Sequence, residues 1–186
     1  MGQTETMRLR FEQWESPMCP LLIVTDNEGV LRAMEFGKHE SRMEQLLREH
    51  YGDFVLEKGK VPASLIRALR DYFDGKLEAL DDVRTATNGT SFQREVWKAL
   101  RSIPAGTTMS YGQLATKIGR AGASRAVGAA NGANPIPVVV PCHRVIGADG
   151  SLTGFGGGLA NKKWLLEHEA RFASVTRGAR NPQYLL

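Results

Sequence analysis

Cysteines, metal-ligand spacings and long apolar runs are all scarce in this sequence. The 186 residues include two cysteines, Cys19 and Cys142, which allow at most one disulfide, so reduced thiols in a cytoplasmic protein are expected. The four histidines and two cysteines form no CxxC or HxxxH spacing, and we predict no metal site. No stretch approaches the roughly 20 apolar residues of a membrane span, and the polar N-terminus lacks the apolar core of a signal peptide. We therefore expect no membrane association.

Acidic residues are missing from one long stretch of the chain. None occurs between Glu95 and Asp149. The basic residues of that gap are Lys98, Arg101, Lys117, Arg120, Arg125 and Arg144. Residues 1–88 hold 12 Lys/Arg and 16 Asp/Glu, whereas residues 89–186 hold 12 and 4. A face without carboxylates suits a polyanion such as DNA, although the charge alone also fits a basic surface with no partner.

The hydrophobic pattern predicts an α/β (α+β) protein of two domains. "RLRFEQW", "PLLIVTD" and "VLRAMEF" are typical of strands, and amphipathic stretches beginning near residues 40 and 61 predict two helices. The polar, turn-forming "TATNGT" at 85–90 indicates a domain boundary. We predict a small N-terminal strand-and-helix domain over 1–88, a mostly helical C-terminal domain over 89–170, and a tail over 171–186 without an assigned role.

The C-terminal half contains a helix-turn-helix pattern. Thr90 with Gln93, and Ser110 with Gln113, have the spacing of a capping box, so each pair predicts the start of a helix. The helix that starts at Ser110 is followed by the short turn "GRAG" and then by the helical "ASRAVGAANGA" at 123–133. Two short helices across a glycine-containing turn are typical of a DNA-binding helix-turn-helix, and also occur in proteins without a nucleic-acid ligand.

The second of these two helices has unusually small side chains. Its longer polar residues are mainly Ser124, Arg125 and Asn131, fewer than a helix that reads bases in the major groove usually carries. A slim helix with one long cation fits a narrow groove, non-specific binding and a side chain that enters the base stack. Close packing against the protein core is the alternative explanation of the small residues.

The segment "VVVPCHRVIG" at 138–147 places a cysteine beside a histidine. The valines are typical of a buried strand or extended segment, Pro141 ends its pairing, and the charge of Arg144 puts Cys142 where a core segment meets solvent. Such a thiol is either inert or a nucleophile. Because adjacent residues of an extended segment point in opposite directions, His143 would act through water or a bent backbone.

A carboxylate would have to orient His143, and few are available in this half of the chain. The choices are Glu95, Asp149, Glu167 and Glu169. The last two end a helix that is predicted from about Leu159 and that could fold back on the cysteine segment. The segment "GADGSLTGFGGG" at 147–158 lies between Cys142 and this helix. It lacks the Lys-Ser/Thr ending of a phosphate-binding loop and is interpreted as a flexible pocket lid or a linker.

Together, these segments closely resemble the O6-alkylguanine-DNA alkyltransferases, also called methylated-DNA–protein-cysteine methyltransferases. The resemblance rests on "NPIPVVVPCHRVIG" and "TGFGGG", and on "KKWLLEHE", "SFQREVWKAL", "SYGQLA" and "SRAVGAANGANP", and it covers about residues 90–170. It implies a repair protein that binds duplex DNA in the minor groove through its helix-turn-helix. The protein would flip O6-alkylguanine, and O4-alkylthymine, out of the duplex and transfer the alkyl group irreversibly to its own cysteine.

The resemblance also implies a role for each site residue. Cys142 would accept the alkyl group after activation through His143 and Glu169, Asn134 would brace the active-site turn, and Tyr111 would donate a hydrogen bond to the leaving guanine. The residues implied in substrate binding are Val145 and Gly156, through their backbones, Phe155 as a pocket wall where many relatives have tyrosine, and Pro137. Those implied in DNA binding are Arg125, which would fill the gap left by the flipped base, and Ser124, Ala126, Ala129 and Asn131.

The chemistry of this reaction needs no cofactor, because a soft thiolate displaces the alkyl group directly and the thioether is not hydrolysed. Each molecule would act once, as a monomer that could bind DNA cooperatively. Two alternatives stay open at this point. A non-catalytic lesion-binding module would carry another residue in place of Cys142, and a cysteine hydrolase would leave the helix-turn-helix without a purpose.

Overall fold

The computed structural model describes residues 6–179. Its N-terminal half is a four-stranded sheet with two helices. The elements are β1 (Met7–Glu15), β2 (Pro20–Asp26), β3 (Leu31–Phe36), α1 (Glu40–Tyr51), β4 (Phe54–Lys58) and α2 (Ala63–Phe73). The strand order is β3-β2-β1-β4; β1, β2 and β3 are joined antiparallel, whereas β4 pairs parallel with β1. The three hydrophobic runs predicted as strands therefore form the sheet, and the shorter β4 adds an edge that the pattern did not indicate.

The C-terminal half is mostly helical. Its elements are α3 (Ser91–Leu100), β5 (Met109–Ser110), α4 (Tyr111–Lys117), α5 (Ser124–Gly132), a 3₁₀ turn (Cys142–Arg144), β6 (Val145–Ile146) and α6 (Leu159–Ala179). Both predicted capping boxes are present, at Thr90–Gln93 and Ser110–Gln113. Helices α4 and α5 form the predicted helix-turn-helix, and the Trp97 indole N–H on α3 donates to the Ala130 carbonyl on α5 at 2.8 Å. The predicted α+β class with a helical C-terminal half is confirmed.

Apolar burial joins the two halves. Alternate residues of β2 point to opposite faces of the sheet. Leu22 and Val24 pack with α1 in a small cluster, whereas Leu21 and Ile23 belong to a larger core. That core continues through α2 to α3, α5 and α6, where it includes Leu165. Because the core crosses the predicted boundary at residue 88, the division into two domains stays a proposal.

Two expectations about the chain differ from the structure. Val138–Val140 are buried but form a turn rather than a strand, because Asn134 and Pro135 end α5 and fold the chain back at once. Helix α6 passes the predicted domain end at residue 170 and continues to Ala179, so the tail begins within a helix. Residues 180–186 lie outside the described residues. No helix within residues 6–179 is long and apolar enough to cross a membrane.

Candidate active site

A compact turn between α5 and β6 holds Cys142. The side-chain amide of Asn134 donates to the Val140 carbonyl at 2.8 Å and its oxygen accepts the Ile136 N–H at 3.0 Å, so one side chain spans the whole turn. Val138 adopts a φ of 73°, which a β-branched residue rarely accepts. The contacts of Asn134 are those expected of a residue that braces the turn. Its part in the chemistry stays a prediction.

Cys142 lies inside the protein rather than at the solvent boundary that the sequence suggested. Its side chain is 4% exposed, because Pro141 leads into a 3₁₀ turn that points the thiol inward. Burial raises the pKa of Cys142 to about 11, against the opposing effects of a hydrogen bond with Asn134 and the charges of Lys162 and Arg42. The thiol is therefore protonated at neutral pH and needs a base before it can act as a nucleophile.

His143 and Glu169 form a buried pair. The Nε2 atom of His143 lies 2.8 Å from Oε1 of Glu169, and both side chains are 0% exposed. Burial lowers the pKa of His143 despite the attraction of Glu169, so the imidazole is neutral, with Nε2–H donating to the carboxylate. The Nδ1 atom of His143 has no hydrogen-bond partner among the described residues. It is thereby the ring atom left to accept a proton.

The Glu169 carboxylate accepts hydrogen bonds from more groups than the sequence suggested. Besides His143, the guanidinium of Arg144 donates to both carboxylate oxygens at 2.9–3.2 Å, the Gly106 N–H donates to Oε2 at 3.0 Å, and the Tyr72 hydroxyl donates to Oε1 at 2.8 Å. Burial alone would raise the pKa of Glu169, but His143 and Arg144 outweigh it and hold that pKa well below its usual range. A permanently ionised carboxylate therefore faces His143.

The expectation that Arg144 reaches solvent is wrong. Its side chain is buried, with the guanidinium shared between Glu169 and the Ile103 carbonyl, which accepts from Nη1 at 2.6 Å. A charge is tolerated in the interior when it is paired and hydrogen-bonded in this way. No local pattern indicates this pairing, because it joins residues 25 positions apart on two elements.

Lys162 is a second buried cation, and no motif in the sequence indicated it. Its ammonium donates to the Val145 carbonyl at 2.6 Å and to the Thr153 carbonyl at 2.8 Å, which ties the glycine-rich loop to the strand after Cys142. Burial lowers the pKa of Lys162, and the neighbouring Cys142 opposes this. The only sequence signal was a lysine on the face of α6 that also carries Leu165 and Glu169, three and seven positions on.

Tyr111 lies at the start of α4 and contacts the same loop. Its hydroxyl donates to the Thr153 carbonyl at 3.0 Å, the ammonium of Lys162 lies 5.9 Å from its ring centre, and Gly128 of α5 packs beside the ring. In this conformation the hydroxyl is engaged by the protein rather than free for a substrate. The proton-donating role predicted for Tyr111 therefore requires the loop to move.

The remaining substrate residues lie near the N-terminal sheet. Phe155 is half-buried with its ring 5.6 Å from that of Phe36 on β3, and the backbone at Gly156 approaches the guanidinium of Arg42 so closely that a Cβ there would lie 2.7 Å from it. Arg42 also pairs with the buried carboxylate of Glu35 and donates to the Gly132 carbonyl at 2.6 Å. The N-terminal half thus forms one wall of the site.

Two further substrate residues belong to the cysteine turn itself. Pro137 is buried within the turn. Val145 is also buried, and its carbonyl is occupied by Lys162. Their predicted contacts with a substrate are not tested by these positions and stay proposals.

The exposed face of α5 carries most of the residues predicted to bind DNA. Arg125, Ala126 and Ala129 are exposed, and Ser124 is half-buried at the start of the helix. Asn131 is the exception. It is 2% exposed and its amide donates to the Cys142 carbonyl at 3.4 Å, so its side chain supports the cysteine turn and is not available to DNA.

A helix-turn-helix joined to a cysteine–histidine–glutamate site defines the class of this protein, and the comparisons agree. A family model described as the DNA-binding domain of 6-O-methylguanine DNA methyltransferase matches residues 91–171. A methylated-DNA–protein-cysteine methyltransferase of Salmonella typhimurium is 54% identical over 165 residues, which are 88% of this chain and 96% of the relative. A methylated-DNA–protein-cysteine methyltransferase of Methanosarcina acetivorans is 45% identical over 156 residues, which are 84% of this chain and 95% of the relative.

Solved structures give the same result. The crystal structure of Mycobacterium tuberculosis OGT in complex with DNA is similar with a TM-score of 0.73 and 41% identity, over 89% of this chain and 94% of that one. The Mycobacterium tuberculosis O6-methylguanine methyltransferase gives a TM-score of 0.75 at 38% identity, over 93% and 99%. This chain belongs to the methylated-DNA–protein-cysteine methyltransferase family, which confirms the family predicted from its motifs.

Proposed function

We propose that this protein repairs alkylated duplex DNA by moving the alkyl group of O6-alkylguanine, and of O4-alkylthymine, to Cys142 in a single turnover. DNA repair by alkyl transfer to a cysteine is the activity of the family. The observation that carries the assignment to this site is the buried Cys142 next to the His143–Glu169 pair. A protein that only recognised lesions would need neither the thiol nor the pair.

The reaction follows from the chemistry of these groups. His143 takes the proton of the Cys142 thiol at Nδ1, directly or through a water molecule, while Glu169 stabilises the resulting imidazolium. The thiolate attacks the alkyl carbon, the carbon–oxygen bond breaks, and a carbon–sulfur bond forms. Guanine leaves with one proton, so the proton lost by the thiol is balanced by the one that guanine gains. Tyr111 and the N–H of Gly156 are the donors proposed to stabilise the departing base.

Because Cys142 is buried, part of the protein has to move before a base can reach it, and we propose that the glycine-rich loop is the part that opens. Thr153 accepts hydrogen bonds from both Tyr111 and Lys162 in the closed arrangement, with distances of 3.0 and 2.8 Å. Withdrawal of this carbonyl would free the Tyr111 hydroxyl when a base enters, which links entry of the substrate to the availability of the proton donor. Phe155 would then stack on or wall the base, with Pro137 and Val145 beneath it.

The exposed face of α5 is the proposed DNA contact. Small side chains at Ala126 and Ala129 let the helix backbone approach a minor groove, Ser124 lies at its start, and Arg125 is long enough to replace the extruded base. Extrusion costs a few kcal/mol, which an inserted side chain offsets by preserving stacking. We place the protein in the cytoplasm as a monomer on alkylated DNA.

Cys142→Ala should abolish alkyl transfer, because no other described thiol adjoins the His143–Glu169 pair. Intact-mass measurement after incubation with excess duplex containing O6-methylguanine should show the wild type gaining one methyl group and Cys142→Ala gaining none. The matched control is Cys19→Ala, which should gain the group as the wild type does. Repeated turnover would identify a hydrolase, and lesion binding without any mass gain in the wild type would identify a binding module; either result overturns the proposal.

Arg125→Ala should slow repair of duplex DNA by about tenfold to a hundredfold, the rate equivalent of losing one base-stack contact of 1–3 kcal/mol. Reaction with free O6-methylguanine base, which needs no flipping, should change much less. Single-turnover rates on both substrates measure the difference. Arg67→Ala removes the same charge from an exposed position on α2 and serves as the control. Equal losses on duplex and free base would remove Arg125 from the flipping step.

A further inference from the structure

Tyr72 joins the N-terminal half of the protein to the carboxylate of the active site. It lies on α2, 97 positions before Glu169 in the chain, and its side chain is 0% exposed. Its hydroxyl donates to Oε1 of Glu169 at 2.8 Å, and the same oxygen accepts Nε2–H of His143 at 2.8 Å. Tyr72 and His143, from opposite halves of the molecule, therefore donate to one oxygen atom, which also accepts from Arg144.

The position of the Tyr72 ring is fixed from the same helix that carries Glu169. The His168 side chain donates from Nε2 to the Tyr72 carbonyl at 2.9 Å, and the two rings lie 5.3 Å apart. Phe73 packs edge-on against Tyr72 at 5.3 Å. Backbone and ring are thus both held, and the hydroxyl is held at the carboxylate rather than left to rotate towards solvent.

We propose that Tyr72 is a positioning residue for alkyl transfer, whose hydroxyl orients Glu169 and weakens the hold of that carboxylate on the proton of His143. This proposal rests on the proposed function, because it assigns His143 as the base. The hydroxyl draws electron density from the oxygen that His143 contacts, so the carboxylate competes less strongly for the imidazole proton. Loss of the hydroxyl leaves a more basic carboxylate and raises the pKa of His143.

The other charged and polar groups around Glu169 and His143 do not reverse the effect of the Tyr72 hydroxyl on the pKa of His143. Arg144 from the 3₁₀ turn neutralises Glu169, and the Gly106 N–H from the loop after α3 donates to its second oxygen. Burial lowers the pKa of His143, and the charges of Arg144 and of Lys162 on α6 lower it further, against the attraction of Glu169. Burial, together with Glu169, raises the pKa of Tyr72 well above its ordinary value. The phenol therefore keeps its proton throughout the working pH range and is always a donor.

The test is the pH profile of Tyr72→Phe, which keeps the ring and removes only the hydroxyl. The single-turnover rate constant of methyl transfer from a saturating duplex with one O6-methylguanine should be measured across the range in which histidine titrates. We expect the acid-side midpoint of the variant to lie about half to one pH unit above that of the wild type. The control is Tyr51→Phe at the end of α1, which removes a hydroxyl that donates to the Ala86 carbonyl and should not move the midpoint.

A merely structural role would lower the melting temperature of Tyr72→Phe while the midpoint stayed in place, and that result overturns the inference. Site-specific replacement of Tyr72 by 3-fluorotyrosine, a stronger hydrogen-bond donor, keeps the hydroxyl if the phenylalanine variant fails to fold. It should move the midpoint to lower pH, and an unmoved midpoint counts against the proposal. Absence of methyl transfer in the wild type would instead refute the proposed function, so the two failures are distinguishable.

Discussion

Glu169→Gln should reduce alkyl transfer by about 100-fold or more and destabilise the fold by about 3–5 kcal/mol. The carboxylate is wholly buried and accepts hydrogen bonds from His143, Arg144, Tyr72 and Gly106. Glutamine has nearly the same shape, but its amide offers one acceptor oxygen and no charge. The guanidinium of Arg144 would then be an uncompensated buried cation, and His143 would lose the anion that stabilises its protonated form.

The pH dependence of stability gives this prediction a second readout. The pKa of Glu169 is lower in the folded protein than in the unfolded chain, so its contribution is present above the ordinary glutamate pKa and is lost as the pH falls towards the folded value. The lowered pKa of His143 acts in the same sense, because the unfolded chain takes up that proton first. Wild-type stability should therefore fall on acidification, and the fall should be shallower in Glu169→Gln.

Chemical denaturation at a series of pH values, together with single-turnover rates, measures both effects. Glu167→Gln removes the same charge two positions earlier on α6, where the side chain is 68% exposed and faces Lys163. It should change stability by less than about 0.5 kcal/mol. A Glu169→Gln protein as stable and as active as this control would contradict the role assigned to the buried carboxylate.

Lys162→Met should destabilise the protein by about 2–4 kcal/mol and slow alkyl transfer by about tenfold or more. Methionine fills a similar volume but donates no hydrogen bond. The carbonyls of Val145 and Thr153 would lose an ammonium donor at 2.6 and 2.8 Å, and the glycine-rich loop would lose its link to the cysteine segment. The positive charge that favours the Cys142 thiolate would also disappear, so the pKa of that thiol should rise further.

The adjacent lysine provides the control for this substitution. Lys163 is 67% exposed and pairs with Glu167, so Lys163→Met removes the same charge from the surface. Thermal unfolding, single-turnover rates and the pH dependence of thiol alkylation by iodoacetamide compare the two variants. Equal behaviour would show that Lys162 supports neither the loop nor the thiolate.

Local signals allowed much of the fold to be predicted. Hydrophobic runs rich in strand-forming residues predicted β1, β2 and β3, and the Ser110–Gln113 spacing predicted the start of α4, because capping depends on residues three positions apart. Val138–Val140 were predicted as a buried strand or extended segment and are buried in a turn, because a run of valines indicates burial but not the path of the backbone. The fold of that segment is decided by the Asn134 side chain, which no hydrophobic pattern reveals.

Some residues of the site were predicted from motifs, whereas others were missed because their contacts join distant parts of the chain. Motif resemblance selected Cys142, His143 and Glu169, which the structure brings together, but it also led to a DNA-facing role for Asn131. The expectation that Cys142 lies at the solvent boundary came from the charge of Arg144, which is buried. The contributions of Tyr72 and Lys162 depend on pairings across many positions of the chain, and a single sequence does not record such pairings. Burial of a charged side chain is decided by partners that only the folded structure supplies.

The edge of the N-terminal sheet at β3 has its backbone groups occupied from outside the sheet. The Met34 N–H donates to the Pro135 carbonyl at 2.9 Å, the Leu31 N–H donates to the Arg84 carbonyl at 3.0 Å, and the Ala86 N–H donates to the Leu31 carbonyl at 3.1 Å. An open edge is a template on which strands of other molecules can add. Here the connection between the two halves of the chain and the start of the cysteine turn occupy these groups, so the arrangement that positions the chemistry also protects the protein against self-association through β3.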